Sequence, residues 1–467
     1  MKKRLISLIL MALMALSCAL AEEAGNVPLM AYYECFAVPL GDNAIFEIPN
    51  EWGYQTSDAA DVPPMTSLLT DQNQMVMAMK LPADWEATDA SDALGIQSFM
   101  VEGMALMLGL TTPQSTRLQE MTINDMPAVL VSMNGQGFDI LWVGDSGDLY
   151  FFLFPNDDDA LVQQMISVAQ SLCVFHRKGE QVNPASDFAY TADGGEVTIT
   201  EYIGTSEHVL IPSAIDGLPV TALADKAFYE KHVTTVVVPD SVTEIGDLCF
   251  SGDNYLVSLT LPDELAELPY AALESCFRLM DFNLPKELKK ISGSALQYNY
   301  YLTHLTLPSS LTEIEQLNFI GLYGLQSLTL AEDNAAFKLD ETNGLLMTAD
   351  GTRLLHCFSD IVPAEEIILP EGVKIVDPFA FHYDYDVERI VLPEGVETIG
   401  AMAFAMCPNL TEIVIPASVT DIGMMDGLDG RTGIISYKRN VIVTPEGSPA
   451  WNWAVETGAT VKSPEEN

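Results

Sequence analysis

Basic residues are scarce in this chain of 467 residues, in which 21 lysines and arginines stand against 66 aspartates and glutamates, for a formal net charge of -45. This excess of negative charge repels phosphate backbones and anionic lipid headgroups, and it therefore excludes nucleic acid as a partner. After the N-terminal segment, no apolar run approaches the roughly 20 residues that a membrane-spanning helix needs. A hydrophobic content of 48% indicates folded domains, and the length favours two or three of them.

Sequence motifs of catalysis and of cofactor binding are also missing. The six histidines form no HExxH motif, the seven cysteines form no CxxC pair, and the chain has no Walker loop, GxGxxG or GxSxG. The stretch GDSGD at 144–148 resembles the nucleophile loop of chymotrypsin-like proteases. It lies between two strand-like runs, however, where Gly and Asp indicate a turn, and the only histidine of this region is the distant His176. We therefore predict a protein without catalytic residues, metal or cofactor.

The first 21 residues have the pattern of a secretory signal peptide. Lys2, Lys3 and Arg4 precede an apolar segment, and Ala19-Leu20-Ala21 is a small-x-small cleavage site. Lipidation at Cys18 is the alternative, although that motif favours Leu where Ala15 stands. We expect a secreted or cell-surface protein with no transmembrane segment in the mature chain.

A 23-residue repeat organises the second half of the sequence. Prolines recur at this interval in two runs, and an earlier, irregular unit carries Pro212: Pro239, Pro262, Pro285 and Pro308, then Pro370, Pro393 and Pro416. The residues one and three places before each proline are apolar, which predicts a short half-buried strand that the proline ends. Further apolar positions such as Val396, Ile399 and Phe404 fill the interior of the same coil. Because one such unit buries too little to stand alone, the period predicts a solenoid of stacked coils with a parallel sheet.

Two segments, LPEGVETIGAMAFAMCPNLTEIVIP (392–416) and VVVPDSVTEIGDLCF (236–250), resemble bacterial leucine-rich repeats of the BspA-like, treponemal type. The segments at 188–228 and 441–462 resemble the entry and closing segments of such arrays. The resemblance implies an exported bacterial protein with a leucine-rich repeat solenoid at 187–467. Ala331 replaces one repeat proline, and MMDGLDG replaces the Ala-Phe pair of the last full unit. The cysteine slot of the repeat holds Cys276 and Cys407 but other residues elsewhere, so we expect no cysteine ladder.

Two parts of the repeat region depart from its period. The unit near 332–364 is longer, and LLMTADGTRLL within it predicts a hairpin that turns at Asp350-Gly351. Such insertions project from one face and often help to bind, although this one is better explained as a decorative hairpin typical of the repeat family. We expect a C-terminal cap near 434–462.

Residues 22–180 lack the repeat and predict an α+β domain, joined to the repeats by a linker at 181–186. Residues 44–54 and 74–82 indicate strands, 89–108 a helix, 126–155 three consecutive antiparallel strands, and 156–175 a closing helix. This order of elements is weakly similar to PsbP-like domains. Cys35 and Cys173, near the two ends of this domain, form either a disulfide or two free buried thiols, whereas Cys249, Cys276 and Cys407 are expected to be packing residues.

Residues two and four places before each proline point away from the core, and they define the predicted binding face. This face consists of His208, Thr235, Val237, Ser258, Thr260, Asp281, Asn283, His304, Thr306, Ser327, Thr329, Glu366, Ile368, Arg389, Val391, Glu412 and Val414. We predict that it binds a protein or glycan ligand in adhesion, without catalysis, and that the protein is a monomer. Two alternatives remain open: an extracellular enzyme with its chemistry in the first domain and repeats used for targeting, and a structural component of the cell envelope.

Overall fold

The computed structural model describes β-strands and one helix between residues 35 and 174, and residues 181–358, 361–424, 434–435 and 440–466. The chain divides into two compact units, and the boundary along the sequence lies between Gln181 and Val182. The predicted signal peptide with Cys18, the predicted helix at 89–108, the turn at 145–148 and His176 lie outside the described residues.

The described part of the first unit is a twisted antiparallel sheet, a small second sheet and one helix. Its elements are β1 (Cys35–Pro39), β2 (Ala44–Pro49), β3 (Gly53–Ser57), β4 (Met65–Leu69), β5 (Met75–Leu81), β6 (Gln114–Ile123), β7 (Met126–Asn134), β8 (Phe138–Gly144), β9 (Leu149–Pro155), α1 (Asp159–Gln170) and β10 (Cys173–Val174). Seven strands pair in the order β3-β4-β5-β9-β8-β7-β6, and β1-β2-β10 form the second sheet. The predicted three antiparallel strands β7 to β9 and the closing helix are confirmed.

The register of the small sheet is not compatible with a bridge between Cys35 and Cys173. Cys35 pairs with Pro49 of β2, whereas Cys173 pairs with Ile45 on the other side of the same strand. Two strand spacings, about 9.6 Å, therefore separate the two Cα atoms even before the four-residue offset along β2 is counted. A disulfide needs Cα atoms within roughly 7 Å. This register therefore disagrees with the disulfide that the sequence left open.

The second unit is a stack of short coils. Its strands begin with β11 (Phe188–Asp193), β12 (Glu196–Tyr202), β13 (His208–Leu210), β14 (Ala214–Ile215), β15 (Leu218–Leu223), β16 (Thr235–Val237), β17 (Glu244–Ile245), β18 (Ser258–Thr260), β19 (Glu267–Leu268), β20 (Asp281–Phe282), β21 (Lys290–Ile291), β22 (His304–Leu307), β23 (Glu313–Ile314) and β24 (Ser327–Leu330). They continue with β25 (Phe337–Asp340), β26 (Leu345–Thr348), β27 (Arg353–Cys357), β28 (Glu366–Ile368), β29 (Ile375–Val376), β30 (Arg389–Val391), β31 (Thr398–Gly400), β32 (Glu412–Val414), β33 (Asp421–Met424), β34 (Val441–Val443) and β35 (Thr460–Lys462). Helix α2 (Pro449–Thr457) and 3-10 turns at Ala185–Asp187 and Pro464–Glu466 complete it.

Most coils contribute one strand to each of two sides of the stack, and on each side the strands of neighbouring coils pair in parallel. The front sheet, which contains the strands that precede the prolines, is formed by β13-β16-β18-β20, β22-β24 and β28-β30-β32-β34-β35. The second sheet contains the strands that follow the prolines, including β19-β21-β23 and β27-β29-β31-β33. Paired front strands are one period apart, so that Val236 lies beside Leu259 and Ile390 beside Ile413. The predicted repeat solenoid is confirmed.

The third side of each coil is held by tight turns rather than by strands. In the coil of Pro239, Leu248 and Gly252 have left-handed backbone angles, with φ of 57° and 74°. Between them, the Phe250 amide donates to the Ala272 carbonyl of the next coil at 2.9 Å. Left-handed residues recur at the same two places in the following coils, at Ala271 and Ser275 and again at Phe379 and Tyr383. The turns thus extend the backbone hydrogen bonding between coils to the third side.

The apolar residue before each proline is buried, as the period predicts, except that Leu330 in the coil without proline is only half-buried. The buried members of this inner row are Ile211, Val238, Leu261, Leu284, Leu307, Leu369, Leu392 and Ile415. The residues three before the prolines are likewise buried, from Val209 to Ile413. These side chains are divided between two hydrophobic clusters, one that ends near Phe358 and one that begins at Leu345.

The predicted hairpin is present, and it lies inside the stack. Strands β26 and β27 pair antiparallel around Asp350-Gly351, where Gly351 has φ of 74°. The Asp350 carboxylate accepts hydrogen bonds from the Thr348 hydroxyl and the Thr352 amide, which lowers the pKa of this carboxyl to about 2. Most of the hairpin side chains are buried, and β27 joins the second sheet beside β29. The insertion is therefore part of the core and not a projecting decoration.

The solenoid ends in a helical cap. Ser448 accepts a hydrogen bond from the Trp451 amide at the start of α2, and Gly458 ends the helix with φ of 75°. Ala450, Trp453 and Ala454 of α2 are buried in the second hydrophobic cluster, and β35 completes the front sheet. This cap covers apolar surface that an unterminated coil would expose.

Candidate functional site

The exposed side of the front sheet is the candidate site. The alternation of the strands places one residue of each in the core and turns its neighbours outward. In the row two before the prolines, Thr260, Asn283, Thr306, Thr329 and Ile368 are exposed, whereas Leu210, Val237, Val391 and Val414 are half-buried. The row is polar up to Thr329 and aliphatic from Ile368 onward, with the hairpin between these two parts.

The row four before the prolines is joined from coil to coil by side-chain hydrogen bonds. His208 Nδ1 lies 3.0 Å from Thr235 Oγ1, the Ser258 hydroxyl donates to Asp281 at 2.6 Å, and His304 Nδ1 lies 2.7 Å from Ser327 Oγ. Each pair joins adjacent coils, so these polar groups are hydrogen-bonded to one another within the folded chain.

Two residues of the predicted face are buried. Only 4% of Thr235 and 2% of Ser258 is accessible, so the prediction that they are exposed is wrong. Each short side chain is hydrogen-bonded to a longer neighbour, His208 or Asp281, in the adjacent strand. Neither hydroxyl is available to a partner of the folded chain.

The C-terminal part of the face is an ion-pair row beside aliphatic side chains. Arg389 bridges Glu366 and Glu412 of the coils on either side, and Lys462 contacts Glu412 at 2.8 Å. Hydrogen bonds to Glu412 and Glu366 raise the pKa of Arg389, and those from Lys462 and Arg389 lower the pKa of Glu412. Beside this row, Ile368 is 57% exposed. The charges here are largely matched within the sheet.

A stack of aromatic rings belongs to the same coils as the polar part of the face. Phe277, Tyr300 and Tyr323 each lie four residues before the first residue of a front strand. The rings of Phe277 and Tyr300 are 4.8 Å apart and stacked, and those of Tyr300 and Tyr323 are 5.5 Å apart. All three rings are half-buried.

A small cavity lies where the two hydrophobic clusters meet. It has a volume of about 20 Å³ and is lined by Phe319, Tyr323, His356, His382 and Asp384 among others. Burial lowers the pKa of His356 to about 3 and that of His382 to about 4, and no hydrogen-bond partner contacts the buried Nδ1 of His382. The space fits one water molecule at most.

Two further features were sought among the residues that the structure describes: clusters of metal ligands and long apolar helices. In the described parts of the chain, no three histidine, cysteine, aspartate or glutamate side chains are grouped so that they could hold a metal ion. Among the same residues, no helix has the length and apolarity needed to cross a bilayer.

The sequence prediction missed the contacts between coils. Arg389 is 23 residues from both Glu366 and Glu412, and Phe277, Tyr300 and Tyr323 follow one another at the same interval. Complementary side chains one period apart were a signal that could have identified these contacts. Exposure was harder to foresee, because it depends on how far the longer neighbours reach.

Comparison with known proteins agrees with the geometry of the coils. Residues 221–340 and 355–425 match the family model "BspA type Leucine rich repeat region" in six copies. These residues are leucine-rich repeats of the BspA type, which confirms the resemblance. No curated protein matches the chain.

Three solved structures illustrate the likeness. The leucine-rich repeat protein TpLRR of T. pallidum is 27% identical over 49% of this chain and 91% of its own, with a TM-score of 0.33. A leucine rich cell surface protein of Faecalibacterium prausnitzii A2-165 is 19% identical over 59% and 97%, with a TM-score of 0.36. Cyanobacterial PsbP from Synechocystis sp. PCC 6803 is 12% identical over 33% and 100%, with a TM-score of 0.26.

Proposed function

We propose that these BspA-type leucine-rich repeats form the binding part of an exported bacterial protein, which attaches to a protein or glycan through the front face without catalysing a reaction. The observation that carries the proposal is the exposed row of Thr260, Asn283, Thr306 and Thr329 along the front strands, with Ile368 exposed beyond the hairpin. A stack of coils held by backbone hydrogen bonds on three sides keeps such a row in fixed positions, which favours recognition of an extended partner. The N-terminal pattern of a signal peptide supports a secreted or surface location.

The shape of the site favours binding over chemistry. A catalytic site needs a concave space in which titratable groups meet, whereas the front face is a sheet surface whose charged groups pair with one another. The acidic composition supports solubility outside the cell and opposes attachment to anionic surfaces. We also propose that the mature protein acts as a monomer.

Adhesion of protein-coated beads tests the proposal. Beads that carry the mature protein are counted after washing on cultured epithelial cells, immobilised mucin and immobilised matrix proteins. The test variant carries Thr260→Lys, Asn283→Lys and Thr306→Lys, because lysines on this row obstruct it with charge and length. We expect wild-type beads to adhere to at least one surface, and adhesion of the variant to fall by about tenfold, the equivalent of 1.4 kcal/mol.

The matched control places the same charges on another side of the solenoid. Thr243, Thr312 and Thr420 are exposed and lie away from the front strands, so the control carries lysine at these three positions. Circular dichroism verifies that both variants fold. If wild-type beads adhere to none of the surfaces, or if the two variants adhere equally, the front face is not the attachment site.

A further inference from the structure

The exposed residues of the middle coils share one chemistry. Thr260, Asn283, Thr306 and Thr329 are exposed, and His304 is exposed beside them. We call these five residues the polar row. Hydroxyl and amide side chains both donate and accept hydrogen bonds, and within the pairs β18-β20 and β22-β24 the strands repeat at about 4.8 Å. Thr306 Oγ1 and Thr329 Oγ1, on neighbouring strands, are 2.8 Å apart.

The polar row is poor in charge although the chain as a whole has a net charge of -45. The one carboxylate in the strands of this stretch, that of Asp281, accepts a hydrogen bond from the Ser258 hydroxyl at 2.6 Å. An ionic partner would find few complementary charges here, and an anionic one would be repelled by the rest of the molecule. The charge distribution therefore favours an uncharged ligand.

The five residues of the polar row themselves include none of the large side chains that anchor protein interfaces. Residues that dominate protein–protein affinity are large side chains such as Trp, Tyr and Arg, seated in central pockets that exclude water. The polar row consists of short hydroxyl and amide groups and one histidine. On the front strands, the large aliphatic side chain with the greatest exposure is Ile368, which belongs to the ion-paired C-terminal part.

Apolar ring surface accompanies the hydroxyl groups. The stacked rings of Phe277, Tyr300 and Tyr323 precede the strands of Asn283, Thr306 and Thr329 in the same three coils. Hydroxyl and amide groups bind the hydroxyls of a sugar, and the half-buried rings add apolar surface in the same coils. A chain of repeating sugars offers both chemistries at regular intervals, as the coils do.

We propose that the polar row binds a neutral glycan. The ligand extends across the coils of Pro262, Pro285 and Pro308, and its hydroxyls exchange hydrogen bonds with Thr260, Asn283 and Thr306. This inference rests on the proposed function and names the ligand class of the same face. An anionic polysaccharide and a protein partner are the competing occupants.

Affinity electrophoresis of the full mature protein in native gels tests the proposal. The gels contain dextran, laminarin, yeast mannan or arabinogalactan as neutral probes, and heparin as the anionic one. We expect at least one neutral probe to retard the wild type. The variant with Thr260→Ala, Asn283→Ala and Thr306→Ala loses side-chain hydrogen bonds, so its association constant falls by at least about tenfold. A control with Thr243→Ala and Thr312→Ala stays within about twofold of the wild type.

Each remaining outcome counts against the glycan. Retardation by none of the four neutral probes, or by heparin alone, overturns the assignment of a neutral glycan. Retardation that the triple alanine variant shares with the wild type shows that sugars bind elsewhere. If bead adhesion depends on the front face while no neutral probe is retained, the proposed function stands and the ligand class is wrong.

Discussion

Leu345 and Leu346 are neighbours in strand β26, yet their side chains are buried in two different hydrophobic clusters. The same alternation continues across the hairpin, where Leu354 belongs to the second cluster and Leu355 to the first. Because successive side chains of a strand point to opposite faces, the hairpin is a partition with one core on each side. The front sheet is interrupted at the same place, between β24 and β28.

Two leucine substitutions are expected to destabilise different halves of the solenoid. Leu346→Ala leaves a cavity in the first cluster and Leu345→Ala in the second, at a cost of about 2–5 kcal/mol each. Hydrogen exchange followed by mass spectrometry should therefore show faster exchange in β22 and β24 for Leu346→Ala, and in β29 and β31 for Leu345→Ala. Equal acceleration of both regions by either variant would mean that the partition does not divide the cooperative units.

The cysteines offer a chemical test of the backbone register. Cys249, Cys276, Cys357 and Cys407 are buried, and burial raises the pKa values of Cys249, Cys276 and Cys407. We expect these four to resist alkylation in the native protein, since the thiolate is the reactive form. After unfolding in guanidinium without reductant, the mature chain should contain six reactive thiols. A total of four, with Cys35 and Cys173 protected, would contradict the register of the small sheet.

The period of the repeat was sufficient to predict most of the solenoid, because each coil buries the same positions. The apolar residues at one and three places before the prolines, such as Leu392 and Ile390, are buried as expected. The hairpin at Asp350-Gly351 was also predicted, from its turn chemistry. The burial of this hairpin in the core was not predicted, because the pattern LLMTADGTRLL does not reveal that both faces of the hairpin contact apolar clusters.

The candidate site was predictable only in outline. Outward residues follow from strand alternation, but the burial of Thr235 and Ser258 depends on the reach of His208 and Asp281 from adjacent coils. The disulfide between Cys35 and Cys173, one of the two alternatives that the sequence left open, disagrees with the strand register for a similar reason. Distance along the sequence placed them at the two ends of a domain, whereas the strand order places β2 between them.

Asp253 is expected to make stability depend on pH. Burial raises the pKa of this carboxyl to about 6, so its stabilising contribution is complete below the unfolded pKa near 3.8 and is lost as the pH rises through 6. Asn occupies the equivalent place of another coil at Asn299. The free energy of unfolding is measured in urea for both proteins. The value for Asp253→Asn minus that for the wild type should rise by about 2–3 kcal/mol between pH 3.5 and pH 8. A pH-independent difference would show that Asp253 titrates normally.

His356 is expected to act in the opposite sense. Its pKa is lowered to about 3, mainly by burial and then by the charge of His382, so the folded protein resists a proton that the unfolded chain takes up near pH 6.5. Stability is therefore lost as the pH falls from about 6.5 toward 3. Replacement by leucine should make this decline shallower by about 1.4 kcal/mol per pH unit. His304→Leu, at an exposed position, is the control, and an equal effect of the two variants would contradict the role of burial.

Gly400 is required by the close approach of the preceding coil. A Cβ atom at this position would lie 2.2 Å from the Pro378 nitrogen and 2.6 Å from the Asp377 carbonyl carbon, and both contacts are with backbone that cannot rotate away. At Gly293, in another coil, the nearest atom to an added Cβ is 3.6 Å away, which is an ordinary contact. Gly400→Ala should thus destabilise the protein by about 1–3 kcal/mol, the range typical of overpacked cores.

Thermal unfolding of Gly400→Ala and Gly293→Ala, followed by circular dichroism, distinguishes backbone crowding from the general effect of adding a methyl group. We expect a lowered Tm for Gly400→Ala and a Tm near that of the wild type for Gly293→Ala, because only the first forces two coils apart. Hydrogen exchange in the Gly400 variant should accelerate first in β29 and β31, whose register brings Ile375 beside Thr398 and Val376 beside Ile399. A Gly400→Ala variant as stable as the wild type would show that the second sheet can widen locally, and that the coil spacing is set by the front sheet alone.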